Sequence, residues 1–280
     1  MFDIKSNVLV NTVFFLSSDE QVDLGQSTRL AEDISLRAAL SERAFKRHNL
    51  SDRCQLINLL SDIGRQCEYE GIRPIIHFNF HGDKFKGLYF SSGEYMSWEE
   101  LSENLRLLNL ILENNLVIFF TTCHSGKLFN YKSIDINNIT PYSYLVAPEG
   151  KIKFSNIEEK MPGFYYELLM GEGLQSAYNT LGEGFILYHS EEMFAKIMIN
   201  YLESECFGVN REININKSEK SLISKGHLLT EKQKIELRKE AEKIFTPDQE
   251  FFQRYLNVFL AGKNVSYSID DLWSQVENNA

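Results

Sequence analysis

Two segments of this sequence run into residues that can carry out acyl chemistry. Pro74 to Phe80, PIIHFNF, leads into His81-Gly82, and Leu116 to Thr121, LVIFFT, leads into Thr122-Cys123-His124-Ser125-Gly126. A cysteine thiolate is a strong nucleophile, and a nearby imidazole can take its proton or protonate a leaving amine. Glycine at position 82 lets backbone approach a substrate carbonyl closely. The N–H groups of Gly82 and Cys123 can together hold the oxyanion of a tetrahedral intermediate. Such a reaction needs no metal and no cofactor. No two of the four cysteines, Cys54, Cys67, Cys123 and Cys206, have the close spacing of a zinc pair.

Both segments are rich in β-branched and aromatic residues and read as strands, the second as a fully apolar strand at the centre of a parallel sheet. In open parallel sheets, reactive groups gather beyond the carboxyl ends of the strands. Neighbouring strands would therefore put His81 and Cys123 on one rim. The chain between them has room for one hairpin and the crossover helix that adjacent parallel strands require. His77 and Asn79 alternate onto the face of His81, which reads as hydrogen-bonded support for the site. His124 is expected to point away from the nucleophile, and His189 to be structural.

The other elements follow the same alternation. A strand is expected over Asn7 to Leu16, a helix from Ser27 to about Lys46, and a Ser51-capped helix ending at Gly71. Short extended pieces lie between Phe85 and Phe90. Ser97-Trp98-Glu99-Glu100 is a capping box, opening a helix that ends at Asn114-Asn115. Residues 126–143 read as a polar loop with one short extended piece. Tyr142 to Val146 reads as strand, Pro162 to Leu181 as helix interrupted by Gly171 and Gly173, Phe185 to His189 as strand, and Ser190 to about Ser204 as helix. This order predicts an α/β fold with a mostly parallel sheet covered on both faces. After residue 206 the chain turns charged and helical, with a capping-box spacing at Thr246-Pro247-Asp248-Gln249 and a stop at Gly262. Residues 1–206 are thus expected to form one domain, and 207–280 an appended helical segment.

The 280 residues include 29 basic and 39 acidic side chains, a net charge of −10. That balance argues against general binding of phosphate backbones. The basic stretch Lys232 to Lys243 alternates with glutamates and reads as a solvated helix face. Cys54 and Cys67 fall in helical patterns as small buried hydrophobes. Met1 to Lys5 lack the pattern of a secretory signal, and the apolar run Leu116 to Phe120 is far short of a membrane span. A cytoplasmic protein with reduced thiols is expected, without direct contacts to nucleic acid or membrane. There is no G-x-S-x-G elbow and no P-loop, and Gly171-Glu172-Gly173 and Gly182-Glu183-Gly184 lack the dinucleotide fingerprint.

Over roughly residues 70 to 200 the sequence resembles the caspase-like (clan CD) cysteine peptidases, especially the bacterial CHAT type. The likeness rests on Ile75-Ile76-His77-Phe78-Asn79-Phe80-His81-Gly82, on Gly87-Leu88-Tyr89-Phe90 with Met96 to Leu101, on Thr122 to Gly126, and on Leu168-Leu169-Met170-Gly171-Glu172-Gly173-Leu174-Gln175-Ser176-Ala177. The resemblance implies an αβα sandwich and a catalytic dyad of Cys123 and His81. It implies hydrolysis of a protein substrate after a selected P1 residue, and a partner-activated role in bacterial defence or cell death. Relatives that cut after Arg or Lys carry Asp two residues before the cysteine, where this chain has Thr121. Thr121 and Glu149, the latter after the next strand, are the candidate S1 residues on this reading. The alternative is a catalytically silent caspase-like module that docks a partner through its C-terminal helices.

Overall fold

The structure, a computed structural model, describes residues 8–20, 24–129, 134–224 and 230–279. Met1 to Lys5, Asn7 and residues 130–133 lie outside that set. The chain forms two compact units that divide between Ser190 and Glu191.

The N-terminal unit is built on a six-stranded sheet. Its strands are β1 (Thr12–Ser17), β2 (Ala44–Asn49), β3 (Pro74–Asn79), β7 (Val117–Phe120), β8 (Tyr144–Pro148) and β9 (Phe185–His189), in spatial order β2-β1-β3-β7-β8-β9. Every neighbouring pair is parallel except β8 with β9. A small antiparallel sheet of β4 (His81–Asp83), β5 (Gly87–Tyr89) and β6 (Tyr95–Met96) leaves the end of β3. All six residues of β1 and all four of β7 are buried, the burial of strands covered on both faces.

One set of alternate residues, including Val13, Phe15, Ile75, Phe119 and Val146, shares a core with helices α1 (Leu24–Leu40), α4 (Phe154–Met170) and α5 (Leu174–Leu181). The other set, Phe14, Ile76, Phe78, Ile118 and Phe120, is just as completely buried. Helices α2 (Arg53–Glu70) and α3 (Trp98–Ile111) pack on each other, burying Leu56, Leu60, Leu101 and Leu105. The unit is α/β with a mostly parallel sheet, compatible with an αβα sandwich.

Local chemistry explains where elements start and stop. Ser97 accepts from the N–H of Glu100 to open α3, and Gly71, at φ 68°, closes α2. The boundaries of four elements differ from the sequence expectation. The first helix stops at Leu40, and Ala44–Asn49 is an edge strand whose charged, half-exposed residues carry no apolar period. Asp52, not Ser51, caps α2, and Asp248, not Thr246, caps the later helix, because each aspartate side chain reaches the N–H three residues on. Helix α4 begins at Phe154 with Pro162 in its interior. Burial of Ile157, Met161, Phe164 and Tyr165 outweighs the lost hydrogen bond there.

The second unit is helical: α6 (Ser190–Tyr201), a π-helical turn at Leu202–Cys206, α7 (Gly208–Ser224), α8 (Glu231–Ile244), α9 (Gln249–Phe259) and α10 (Ile269–Asn279). The division falls ahead of the change in composition at residue 206, because α6 packs with the helices after it. Phe194 meets Phe252 edge-on and stacks with Phe259, and the Tyr267 hydroxyl donates to the Glu191 carbonyl at 2.6 Å. Among the described residues, no helix is long and apolar enough to cross a membrane.

A buried polar knot closes the N-terminal unit. Asn109 Nδ2 donates to Asn114 Oδ1 (3.0 Å) and to the Thr140 carbonyl (2.7 Å), while its Oδ1 accepts from Leu116 N–H (3.0 Å). Asn114 Nδ2 in turn donates to Ser190 Oγ. Replacing Asn109 with Ala strands several buried partners at once. Chemical denaturation of Asn109→Ala should show a loss of about 3 kcal/mol.

Candidate active site

Strands β3 and β7 are hydrogen-bonded neighbours, so their carboxyl ends emerge side by side. Past the ladder, threonines continue the pairing. Thr121 N–H donates to the Phe78 carbonyl at 3.0 Å, and the Thr122 hydroxyl donates to the same carbonyl (3.2 Å) while accepting from Phe80 N–H (3.2 Å). The chain then turns sharply. Ser125 Oγ donates back to the Thr122 carbonyl at 2.7 Å, and His124 takes a left-handed conformation, φ 62°. Its N–H donates to the Gly150 carbonyl at 2.9 Å. A Cβ at Gly126 would lie 2.9 Å from the Pro148 carbonyl oxygen, so the turn after the cysteine needs glycine to settle on the end of β8.

Cys123 sits half-buried at the head of this turn. Its Sγ lies 3.5 Å from Ile152 N and 3.6 Å from Ile152 O, held by main chain of the segment leading into α4. His81, exposed, begins β4, with its ring 6.4 Å from that of Tyr89. The hairpin carrying it is braced. Asp83 Oδ1 accepts from the N–H groups of Phe85 and Lys86, which holds the carboxyl below its usual range, and Trp98 Nε1 donates to the Asp83 carbonyl. A Cβ on Gly82 would collide with the Cys123 carbonyl oxygen and with Thr122 Cγ2. The root of the hairpin is therefore seated directly on the turn that carries Cys123.

His81 and Cys123 line one cleft of about 130 Å³, together with Asn79 and Thr121. Ser18 and Asp19, just past β1, form another part of its lining, as do Gln26 and Ser27 at the start of α1. Phe80, Ile152, Phe154 and Ile157 complete it. Glu149 does not line this cleft; its N–H donates to the Gly184 carbonyl. His189 stacks on Tyr144 at 4.4 Å. Cys54 is exposed in the first turn of α2, contrary to the sequence expectation, because its position falls outside the buried Leu56, Leu60 and Ile63 face. Cys67 and Cys206 have thiols pushed up to about 11, chiefly by burial.

Under the cleft runs a chain of hydrogen bonds. Fully buried His77 lies between the Tyr165 hydroxyl (2.8 Å from Nδ1) and Thr121 Oγ1 (3.1 Å from Nε2). Thr121 Oγ1 donates to Asn79 Oδ1 at 2.8 Å, so it accepts from Nε2–H, and Nδ1 accepts from Tyr165. Asn79 Nδ2 then donates to Ser27 Oγ at 3.2 Å. Phe15 and Phe119 flank the imidazole at 4.8 and 5.0 Å, and burial holds His77 down to about 3. His77 is therefore a neutral strut that orients Thr121 and Asn79, two residues of the cleft. His81 does not continue its strand face: β3 ends at Asn79, and His81 opens the second sheet.

Two parts of the site escaped the sequence reading. Asp19 follows the carboxyl end of the first strand, a signal the rim rule could have used. The contact of Ile152 with Cys123 uses main-chain atoms and leaves no mark in residue type. No protein-family model matches the chain, and no curated protein is significantly similar to it.

The buried neutral His77 should make stability acid-sensitive. Its folded pKa is depressed, so below about 6.5 the unfolded chain takes up a proton that the folded one does not, and stability falls as pH drops toward 3. This residue's share between pH 7 and pH 5 is roughly 2 kcal/mol. Urea titrations should show that loss in the wild type and a shallower one in His77→Gln; equal slopes would remove His77 as the cause.

Proposed function

We propose that this chain is a caspase-like cysteine endopeptidase of the bacterial CHAT type, with Cys123 and His81 as its dyad. The observation that carries the reading is the seating of Gly82 on the Cys123 carbonyl, with both dyad residues lining one cleft at the carboxyl ends of adjacent parallel strands. The parallel sheet with its antiparallel last strand and the small β4-β5-β6 sheet after His81 support a caspase-like fold.

The reaction follows from these groups. His81 takes the thiol proton, and Sγ of Cys123 attacks the carbonyl carbon of the scissile bond. The oxyanion is held by the N–H groups of Gly82 and Cys123. The tetrahedral intermediate collapses as His81 protonates the departing amine, leaving a thioester on Cys123. Water, deprotonated by His81, then releases the carboxylate product and restores the thiol. Thr121 and Asn79, held by His77, shape the cleft beside the dyad. The substrate is a protein, and a protein activator or regulator controls the enzyme in a cytoplasmic defence or cell-death response. The helical unit from Glu191 onward, with its exposed, charged α8, is the segment that meets such a partner.

Peptide acyloxymethyl ketones varied at P1, with adducts mapped by mass spectrometry, test the dyad. Cys123 should be labelled selectively, Cys123→Ala not at all at that peptide, and His81→Ala roughly 100-fold more slowly. Labelling that ignores His81, or that is absent both from the pure chain and from cells producing it, would leave a binding module as the better description. Gly82→Ala should abolish labelling while Gly163→Ala, at a helical position of α4 where the added Cβ meets nothing closer than 3.8 Å, spares it.

A further inference from the structure

The cleft contains a carboxylate that the proposed chemistry does not use. Asp19 follows β1, and its side chain is only 3% exposed. It lines the same cleft as Cys123 and His81, and among the described residues no other carboxylate and no lysine or arginine does so. Its known contacts both take one oxygen. Ser17 Oγ donates to Oδ2 at 2.8 Å, and Arg47 Nη2 lies 3.5 Å from that same atom. Arg47 is not part of the cleft lining and also donates to Thr28 Oγ1. Among the described residues, no hydrogen bond engages Oδ1.

We infer that this cleft selects a cationic side chain, the guanidinium of arginine or the ammonium of lysine, at the residue preceding the cut bond, with Asp19 as its anchor. The inference rests on the peptidase reading for its catalytic meaning. Thr121, where a carboxylate is missing, is not the source of charge; Asp19 supplies it from the opposite side of β3. The neighbouring polar atoms suit a donor-rich cation. Asn79 Oδ1 and Ser27 Oγ keep accepting capacity after their mutual bonds, and Gln26 adds a carboxamide at an exposed position. A charge-assisted bond to a carboxylate is about twice as strong as a neutral one. The first turns of α1 and α4 bring partial positive charge to the same rim and act in the opposite sense. The comparison of a cation with an anion of the same shape is therefore the decisive measurement.

Binding of benzamidinium and of benzoate to the full chain should be compared by calorimetry or ligand-observed NMR. Benzamidinium should bind and benzoate should not. Asp19→Asn should weaken benzamidinium at least tenfold. Gln26→Lys, at an exposed helical position that leaves the fold intact, should weaken it as well by repulsion. In parallel, a P1-arginine ketone should label Cys123 faster than a P1-leucine ketone, and Asp19→Asn should erase that preference. Preferred binding of benzoate, no binding of benzamidinium, or benzamidinium binding indifferent to both variants would overturn the inference even if Cys123 reacts with the leucine probe. Asp19-dependent benzamidinium binding without labelling by any probe would keep the cation site and overturn the peptidase reading instead.

Discussion

The pairing of β3 with β7 is the constraint on which the site depends. Two apolar strands lie side by side in register, His77 opposite Phe119 and Phe78 opposite Phe120. When the ladder ends, the backbone groups of Phe78 and Phe80 still need partners in a buried place. The hydroxyl of Thr122 serves both, and the N–H of Thr121 adds a third bond. Those few bonds keep the two strand ends together for just long enough to deliver Cys123 on one and His81-Gly82 on the other. A residue without a hydroxyl at position 122 would take the partner from the Phe80 N–H and leave the Phe78 carbonyl only its bonds to Thr121, at the root of the turn that carries Cys123.

The surrounding structure makes this meeting place stiff from two directions. Above the sheet end, Gly82 is packed on the Cys123 carbonyl and Gly126 on the end of β8, so the turn is clamped between backbone surfaces that accept no side chain. Below it, the relay from Tyr165 through His77, Thr121 and Asn79 to Ser27 ties α4 and α1 to the strands between them. A buried polar network of this kind is stabilising only when its members are satisfied, and here each side chain of the relay has at least one partner. Its neutral imidazole works because no charge is placed among Phe15 and Phe119.

Electrostatics then distinguishes the rim from the interior. The interior relay is uncharged, while the cleft above it carries the carboxylate of Asp19, held in place by Ser17 and Arg47. Position and charge thus come from different strands: β3 and β7 bring His81 and Cys123 to one cleft, and the end of β1 brings the carboxylate of Asp19 to it. The C-terminal helical unit is built by its own aromatic contacts, such as those of Phe194 with Phe252 and Phe259.

Much of this was legible in the residues themselves. Runs such as PIIHFNF and LVIFFT can only be buried strands, and the length of chain between them dictates a crossover, so the adjacency of His81 and Cys123 followed from pattern and connectivity. The capping serine at position 97 and the glycine stop at position 71 act through neighbours three or four residues away, which is why they read correctly. Tertiary structure alone decided the rest. The edge strand β2 exists because β1 offers it a partner, not because AFKRHN has a strand period. Pro162 stays inside α4 because the apolar face on either side of it is buried against the sheet. Asp19 and Ser27 come from one stretch and the main chain of Ile152 from another far along the chain, and their meeting with His81 and Cys123 at one cleft depends on packing that no local pattern encodes.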